Sequence, residues 1–278
     1  MTSTPYVRAA DRVADGEPRL NGAGFDLAPL EGDWVSATNA PGGLSRVLLR
    51  QHDGELLIRA YGGGEPRPGD WGEVPAYPVF SDGPDSTTGF GFFAVFNGES
   101  VRTELQTYVG LGLLIVHAFW RFTDGSDRRN YFSREFFVRA DAERPADDGR
   151  PDGGALPAAL HTGCNDPAGL AGSWVNTDQA ARGIGTIEST LRDGTLVLQP
   201  SGIGPDGPID WGEASTSLYV DAANPSGPPA LLATHDHGFM RIHLQARINI
   251  GVFVVAQYAE FTDASGRANY FMREVYRR

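Results

Sequence analysis

Asp-Trp-Gly-Glu at residues 70–73 occurs again at residues 210–213, 140 positions later, and this repetition decides how the chain folds. Working outward, Trp-Val-Ser at residues 34–36 returns as Trp-Val-Asn at residues 174–176, at the same spacing. Separated motifs that keep one offset indicate the duplication of a folding unit of about 110 residues, which is the size of a complete small domain.

The end of the unit is repeated as well. Phe-Thr-Asp at residues 122–124 recurs at 261–263, and Asn-Tyr-Phe at residues 130–132 recurs at 269–271. The offset is now 139, so the two copies differ in length by a single residue up to this point. We therefore predict four segments: an N-terminal arm (1–29), a first unit (30–139), a flexible linker (140–169) and a second unit (170–278).

Composition limits the classes of function. The 278 residues carry a net charge of -12, which argues against a nucleic-acid partner because a phosphate backbone needs a basic surface. An anionic membrane surface is disfavoured for the same reason. The chain contains no lysine, which excludes Schiff-base chemistry by its own side chains. Its 36 glycines and 19 prolines favour many short strands over long helices.

Features that would direct the chain to a membrane or an oxidising compartment are not found in the sequence. Cys164 is the single cysteine, so an internal disulfide is excluded. The first residues lack a basic stretch followed by an apolar one, so no signal peptide is visible. The longest apolar run, 111–120, is too short to span a bilayer. We expect a cytoplasmic protein without membrane association.

Each unit divides into about eight strand-like segments and lacks helical periodicity. Asp53-Gly54 and Asp193-Gly194 each separate two β-rich runs, as the tight turn of a hairpin does. The fold class that we predict is all-β, with two tandem eight-stranded antiparallel up-and-down barrels related by internal duplication. In the first unit we expect strands to begin near Trp34, Ser45, Leu56, Trp71, Gly89, Val101, Leu111 and Asn130.

The ends of the unit suggest a known family. Each unit opens with Gly-x-Trp, at residues 32–34 and 172–174, and its last strand carries an arginine, Arg134 or Arg273. This arrangement resembles the lipocalin and avidin-like (calycin) barrels, in which that tryptophan closes one end and a last-strand arginine packs over it. The resemblance implies a barrel with a ligand cavity. The repeat unit is also similar to domains of bacterial proteins of uncharacterised function.

The repeated Asp-Trp-Gly-Glu motif has two interpretations. In the functional one, Trp71 and Trp211 line the mouth of a cavity, and Glu73 and Glu213 beside them have raised pKa values that suit a general acid. In the structural one, the aspartate caps a turn, the glycine adopts a positive φ and the tryptophan fills the core. A motif kept in both copies favours the structural interpretation, because a duplicated enzyme rarely needs two active centres.

Two tyrosines follow the repeated Phe-Thr-Asp turn. Tyr131 and Tyr270 lie in strands whose two faces both mix polar and apolar residues, so that one face can line a partly polar cavity. We consider these tyrosines candidate ligand contacts, with a role in the core as the alternative.

Differences between the copies indicate where one unit could be specialised. Glu104 aligns with His243, His117 with Ala256, and Trp120 with an alanine. Glu104 and Tyr108 belong to a polar stripe on one strand face. Such a stripe is usually the solvated outside of a barrel. If it lines the lumen instead, Glu104 and Tyr108 form an acid–base pair, and His243 replaces the acid in the second unit.

The same comparison adds two candidate ligand contacts, His117 and Trp120, although His117 in its apolar strand is most simply a core histidine. His235, His237 and His243 could be taken for a zinc site, since histidine is a common zinc ligand. The first two lie at a turn, where strand alternation need not hold, and we predict no metal site and no cofactor.

One pair of segments predicts how the units meet. Residues 111–122 and 250–261 are apolar on both alternating faces, and such a strand in an antiparallel sheet needs a second cover. That cover is either the other unit of the same chain or a second copy in a homodimer.

Two functions of different class fit these features. The first is a cofactor-independent cyclase or isomerase, in which the barrel encloses a small hydrophobic molecule and supplies one acid or base. Use in natural-product biosynthesis is what the resemblance to cytoplasmic bacterial barrels of this type implies. The alternative is a non-catalytic carrier of such a molecule. A lesser one is a carbohydrate-binding protein with Trp71 and Trp211 as stacking platforms.

Overall fold

A computed structural model describes residues 5–12, 24–38, 43–81, 84–141 and 164–278. In these ranges the protein is all-β, as predicted, with two short 3-10 turns at Ala9–Asp11 and Pro167–Leu170. The strands of the first half (24–141) are β1 Gly32–Ser36, β2 Leu44–His52, β3 Glu55–Gly62, β4 Gly69–Ser81, β5 Gly89–Asn97, β6 Val101–Gly110, β7 Leu113–Phe122 and β8 Tyr131–Arg139. The strands of the second half (164–278) are β9 Gly172–Asn176, β10 Ile184–Arg192, β11 Thr195–Gly204, β12 Gly207–Asp210, β13 Ala214–Ser215, β14 Ser217–Asp221, β15 Ala230–Asp236, β16 Met240–Asn249, β17 Val252–Phe261 and β18 Tyr270–Arg277.

The eight strands of the first half form a closed cycle of pairing. Each strand pairs antiparallel with the next, from β1 through β8. The last strand then pairs back with the first, with Trp34 opposite Arg139. The predicted turn at Asp53-Gly54 is present, and both residues have the positive φ that a tight hairpin turn requires.

The second half repeats this order with one interruption. Its last strand, β18, pairs back with β9, where Tyr276 lies opposite Asn176. The counterpart of the long strand β4 is divided into β12, β13 and β14 by breaks at residues 211–213 and at Thr216. The second Asp-Trp-Gly-Glu motif therefore lies at a break between strands, whereas the first lies within one.

Alternate residues on one face of the strands build a core in each half. The first core contains Trp34, Trp71 and Trp120, and the second contains Trp174 and Trp211. These side chains are at most 7% exposed, and smaller aliphatic residues of the neighbouring strands surround them. In the described residues, each cycle of strands thus has a densely packed face of its own.

The two-sided apolar strands β7 and β17 are covered by the opposite halves. Ile115 on β7 shares a buried cluster with Ala256 and Tyr258 on β17, and the Tyr258 hydroxyl donates to the carbonyl of Thr107 at 3.3 Å. Two short parallel pairings, β8 with β14 and β4 with β18, also join the halves. The second apolar face of β7 and of β17 is thus covered by the other half of the same chain. The homodimer stays a prediction.

The described residues of the predicted N-terminal arm are not loose. Residues 5–12 pack into the core of the second half, where Arg8 and Asp11 are fully buried. Residues 24–30 pack instead on the first half, and the carbonyl of Leu30 accepts a hydrogen bond from Trp34 Nε1 at 2.9 Å. The predicted flexible linker falls mostly on residues 142–163, which lie outside the described residues.

The arginines that cover the first-strand tryptophans differ from those expected. Arg139 lies 4.4 Å from the ring of Trp34, and Arg278 lies 4.7 Å from the ring of Trp174. The prediction that Arg134 and Arg273 cover these tryptophans was wrong. Side chains alternate along a strand, and these two arginines point into a pocket between the halves.

Candidate functional site

The tryptophans of the repeated Asp-Trp-Gly-Glu motif are core residues. Trp71 makes edge contacts with Phe96 and Trp120, each at 5.4 Å between ring centroids, and its Nε1 donates to the carbonyl of Arg67 at 2.8 Å. Trp211 is equally buried, and its Nε1 donates to the carbonyl of Val7 at 3.0 Å. Neither tryptophan lines the two clefts described below.

The acidic residues of the motif form surface ion pairs. Glu73 accepts two hydrogen bonds from Arg50, at 2.7 and 2.8 Å, and Glu213 accepts two from Arg192, both at 2.6 Å. The hydrogen bond from Arg50 lowers the pKa of Glu73, which is opposite to the raised pKa that a general acid needs. Asp70 accepts the N–H of a glycine two residues on, so the structural interpretation of the motif fits the contacts.

Tyr131 and Trp120, two further ligand-contact candidates, pack in the first core. Their rings stack at 5.5 Å, and Trp120 Nε1 donates to the hydroxyl of Ser133 at 3.1 Å. Tyr270 occupies the same position in the second half and is fully buried there. Tyr131 and Trp120 belong to the buried cluster of the first half, and Tyr270 belongs to that of the second.

The loss of Trp120 from the second copy is compensated by the N-terminal segment. Ala259 stands at the corresponding position, and the guanidinium of Arg8 lies 5.2 Å from the ring of Trp211 and 5.0 Å from that of Tyr270. In the first half, Trp120 occupies the same place between the corresponding Trp and Tyr. The two copies therefore differ here in which side chain fills the core: Trp120 in the first half and Arg8 in the second. The sequence comparison missed Arg8, because the residues around it in the sequence do not indicate that it packs against the second half.

The first half contains a buried carboxyl group, that of Glu135 on β8. Glu135 accepts hydrogen bonds from the N–H of Leu44 at 2.9 Å and from the hydroxyl of Ser133 at 2.8 Å. Burial raises its pKa to about 7. Its counterpart Glu274 accepts from the N–H of Ile184 at 3.2 Å, so the contact to the second strand occurs in both halves.

We expect Glu135 to make stability fall as the pH rises. The folded state holds the proton up to pH about 7 and the unfolded chain only to its ordinary value near 4.5, so stability decreases across this window by on the order of 3 kcal/mol. Glu135→Gln keeps the acceptor and should remove this decrease. Urea unfolding at a series of pH values measures the effect, with exposed Glu55→Gln as the control. An unchanged slope in Glu135→Gln would contradict the assignment.

Two of the predicted catalytic residues meet in a cleft between the halves. The cleft has a volume of about 250 Å³, and both Glu104 on β6 and His243 on β16 line it. Its wall is mostly polar and comes from both halves, with Arg102, Gln106, Arg121, Ser215, Ser217, Tyr219, Leu232, Ala233 and Thr234 as the other lining residues. Glu104 and its neighbours on β6 thus face a cleft shared with the second half.

His243 is held in a partly apolar part of this cleft. Its ring centroid lies 5.2 Å from that of Phe93, and its Nδ1 lies 3.3 Å from the hydroxyl of Thr234. Burial lowers the pKa of His243, while the charges of Glu104 and Glu260 act in the opposite direction. The imidazole is therefore neutral near pH 7 and able to accept a proton.

Glu104 is oriented by its own strand. It accepts a hydrogen bond from Gln106 at 2.8 Å and pairs with Arg102 at 3.4 Å. Across the cleft, burial and the charge of Glu104 raise the pKa of Tyr219 to about 12. The cleft therefore combines a carboxylate, a neutral imidazole and several hydroxyl groups.

The structure does not bring Tyr108 and His117 into this cleft. The Tyr108 ring stacks on Phe271 at 5.1 Å, and its hydroxyl accepts from Arg134 at 3.5 Å, so the predicted pairing of Tyr108 with Glu104 is not observed. His117 is buried between the halves, where its Nδ1 contacts the side-chain amide of Gln245.

The histidines considered for zinc are divided between two places. His235 and His237 stack near Trp211 at the second core, whereas His243 lies in the cleft. Among the described residues, no group of three or more His, Cys, Asp or Glu side chains is arranged to hold a metal ion. In the same ranges, no helix has the length and apolar character needed to cross a membrane.

Comparisons with known proteins add little to this geometry. No family model matches the chain, and no curated protein matches it. Among solved structures, the chain is similar to the crystal structure of a protein of unknown function from the DUF3598 family of Nostoc punctiforme, at 11% sequence identity. The match covers 94% of this chain and 99% of that chain, with a TM-score of 0.35. A similarity at this level carries no argument, and no lipocalin or calycin family is identified.

Proposed function

We propose that each half is an eight-stranded barrel with a filled interior, and that the site of function is the cleft between the halves. The closed cycle of strand pairing in the first half and its interrupted counterpart in the second half support the barrels. The buried tryptophans and the Arg8 side chain support a filled interior, which leaves little space there for an enclosed ligand. The ligand of this protein then binds in the cleft that Glu104 and His243 line.

We further propose that Glu104 and His243 form a cofactor-independent acid–base pair. The observation that carries this proposal is that corresponding positions of the two copies converge in one cleft as a carboxylate and an imidazole. His243 accepts a proton from the ligand, and the negative charge of Glu104 stabilises the imidazolium that forms. The returned proton goes to a second atom of the ligand, which isomerises or cyclises it without any change in oxidation state.

The lining of the cleft suggests the class of ligand. Arg102, Arg121 and the serine hydroxyls offer hydrogen-bond donors, so we propose a small molecule with polar groups, and its apolar part would face Phe93 and Leu232. A volume of about 250 Å³ suits a ligand smaller than most drug-sized molecules. In this proposal, the cyclase or isomerase reaction takes place in a more polar site than the barrel lumen predicted from the sequence.

The alternative function is a binding protein without chemistry. The carboxylate of Glu104 already accepts from two donors of its own strand, an arrangement that also suits a fixed recognition group. We do not propose carbohydrate binding, because Trp71 and Trp211, the residues that suggested it, are buried and cannot stack on a sugar.

Titration of His243 tests the pair. We expect Glu104→Gln to lower the pKa of His243, because the carboxylate favours the charged imidazole. NMR of the histidine side chains measures this pKa, and exposed Glu99→Gln serves as the control. An unchanged pKa in Glu104→Gln would remove the electrostatic coupling on which the proposal depends.

Native mass spectrometry of the purified protein tests the function itself. We expect a small polar molecule to copurify, and its occupancy to fall at least tenfold in His243→Gln. Incubation of that molecule with wild-type protein then separates an enzyme, which converts it, from a binding protein, which returns it unchanged. Equal occupancy in Glu104→Gln/His243→Gln would place the ligand elsewhere.

A further inference from the structure

We propose a second site, specific for a small oxyanion, in the seam between the halves where Arg134 and Arg273 meet. These arginines occupy corresponding positions on β8 and β18, and both line a pocket that is separate from the Glu104–His243 cleft. Arg247, His117 and Gln245 complete its polar lining. The inference does not depend on the proposed function.

The balance of charge is the first argument. Three guanidinium groups face this pocket, and the carboxylate that pairs with any of them is Asp221, 3.1 Å from Arg247 Nη1. Within the described residues, Arg134 contacts a tyrosine hydroxyl and an aromatic ring but no carboxylate, and no ion pair or hydrogen bond joins Arg273 to another residue.

Several arginines elsewhere in the protein, unlike Arg134 and Arg273, have a carboxylate partner within the described ranges. On β2 and β10, Arg46, Arg50 and Arg192 each bind a carboxylate through two hydrogen bonds. Such forked contacts are the geometry in which arginine also binds carboxylate and phosphate ligands. Two arginines that line one pocket without a carboxylate partner among the described residues therefore point to an anion supplied from outside the chain.

The second argument is a buried nitrogen atom, Arg134 Nε, that has no hydrogen-bond acceptor in the part of the chain that the structure describes. Among the described residues, Arg134 Nε is buried without an acceptor, and a buried donor without an acceptor is costly. His117 does not supply negative charge, and burial together with the three arginines holds its pKa well below the ordinary value. An oxyanion would satisfy Arg134 Nε and offset the convergent positive charge.

The size of the pocket selects the chemical group. The space between the lining atoms is about 20 Å³, which is room for roughly one water-sized group. One oxygen of a carboxylate or of an inorganic oxyanion fits this space, and the rest of the group would extend towards Arg273. Arg273 is exposed to solvent, so the remainder of a larger ligand can extend outwards past it.

Thermal unfolding in matched ionic strength tests the site. We expect sodium acetate or sodium phosphate to raise the Tm of the wild-type protein in a saturable way by about 2–4 °C beyond sodium chloride. Arg273→Gln should lose this rise, and Arg277→Gln, an exposed arginine on the same strand, should keep it. Phosphate alone would indicate an inorganic or phosphoester group, and acetate would indicate a carboxylate ligand.

Two results would overturn the proposal. One is a Tm rise that chloride reproduces at equal ionic strength, since screening of three like charges then explains it. The other is that Arg273→Gln has a higher Tm than the wild type in sodium chloride, while acetate and phosphate do not raise the Tm of the wild type beyond chloride. That result would indicate only repulsion between the arginines. Glu104→Gln/His243→Gln should leave the oxyanion effect unchanged, so failure of one proposal does not affect the other.

Discussion

Replacing Arg8 with alanine should lower the free energy of unfolding by about 3–5 kcal/mol, because it breaks a fully buried ion pair and leaves a carboxylate without its partner. Arg8 Nε lies 3.1 Å from Asp11 Oδ1 and 2.8 Å from the hydroxyl of Tyr270, and Nη1 binds Gln257. The substitution also leaves a hole between Trp211 and Tyr270. Urea unfolding followed by tryptophan fluorescence measures the loss.

Arg12→Ala is the matched control, because it removes an arginine of the same segment that is exposed. A second variant tests the filling itself. Ala259→Trp should be destabilising alone, since its ring needs the space of Arg8, yet it should restore stability to Arg8→Ala. Additive effects of the two substitutions in a double-mutant cycle would contradict the view that Arg8 replaces the tryptophan.

The second large effect is expected at Gly62. A Cβ at this position would lie 1.8 Å from the carbonyl oxygen of Arg67, so Gly62→Ala must push residues 63–68 away from the core. That loop carries the carbonyl that accepts from Trp71 Nε1. We expect a loss of about 2–4 kcal/mol from overpacking and the broken hydrogen bond, read from the urea midpoint.

The adjacent glycine provides a control with the same chemistry. A Cβ at Gly63 would meet its first neighbour at 3.4 Å, which is ordinary contact, so Gly63→Ala should change stability little. At Gly202 the corresponding clash is with the carbonyl of Val7 at 2.1 Å. The same Cβ would also lie 2.6 Å from Trp211 Nε1, so Gly202→Ala should be destabilising with or without residues 5–12, and more so while they are present. If Gly62→Ala and Gly63→Ala changed the free energy of unfolding equally, residues 63–68 would be able to move away from the added methyl group without loss of stability, and the prediction would be wrong.

The strands could be predicted from the sequence because the signals are local. Each of the eight expected starts in the first half lies within two residues of an observed strand. Turns such as Asp53-Gly54 require positive φ at both residues, and few residue types accept that conformation. The break at Trp211 was not predicted, because it depends on the N-terminal segment that packs beside it.

The site could be predicted only in part. Glu104 and His243 were identified as differences between the copies, but as members of separate pockets. Their convergence follows from how the halves pack, which strand alternation does not specify. The aromatic candidates Trp71, Trp120 and Tyr270 proved to be core residues, because periodicity does not distinguish the lining of a cavity from its filling.

The contact between Arg8 and Tyr270 links residues 262 positions apart, almost the whole length of the chain. During synthesis, residues 5–12 leave the ribosome long before strand β18 does, so the second half completes its core only after residues 270–277 have been made. The duplicated copy has become dependent on a piece of chain from the opposite end. Transplanted alone into another protein, residues 170–278 would need a peptide carrying residues 5–12, added in trans, to recover their stability.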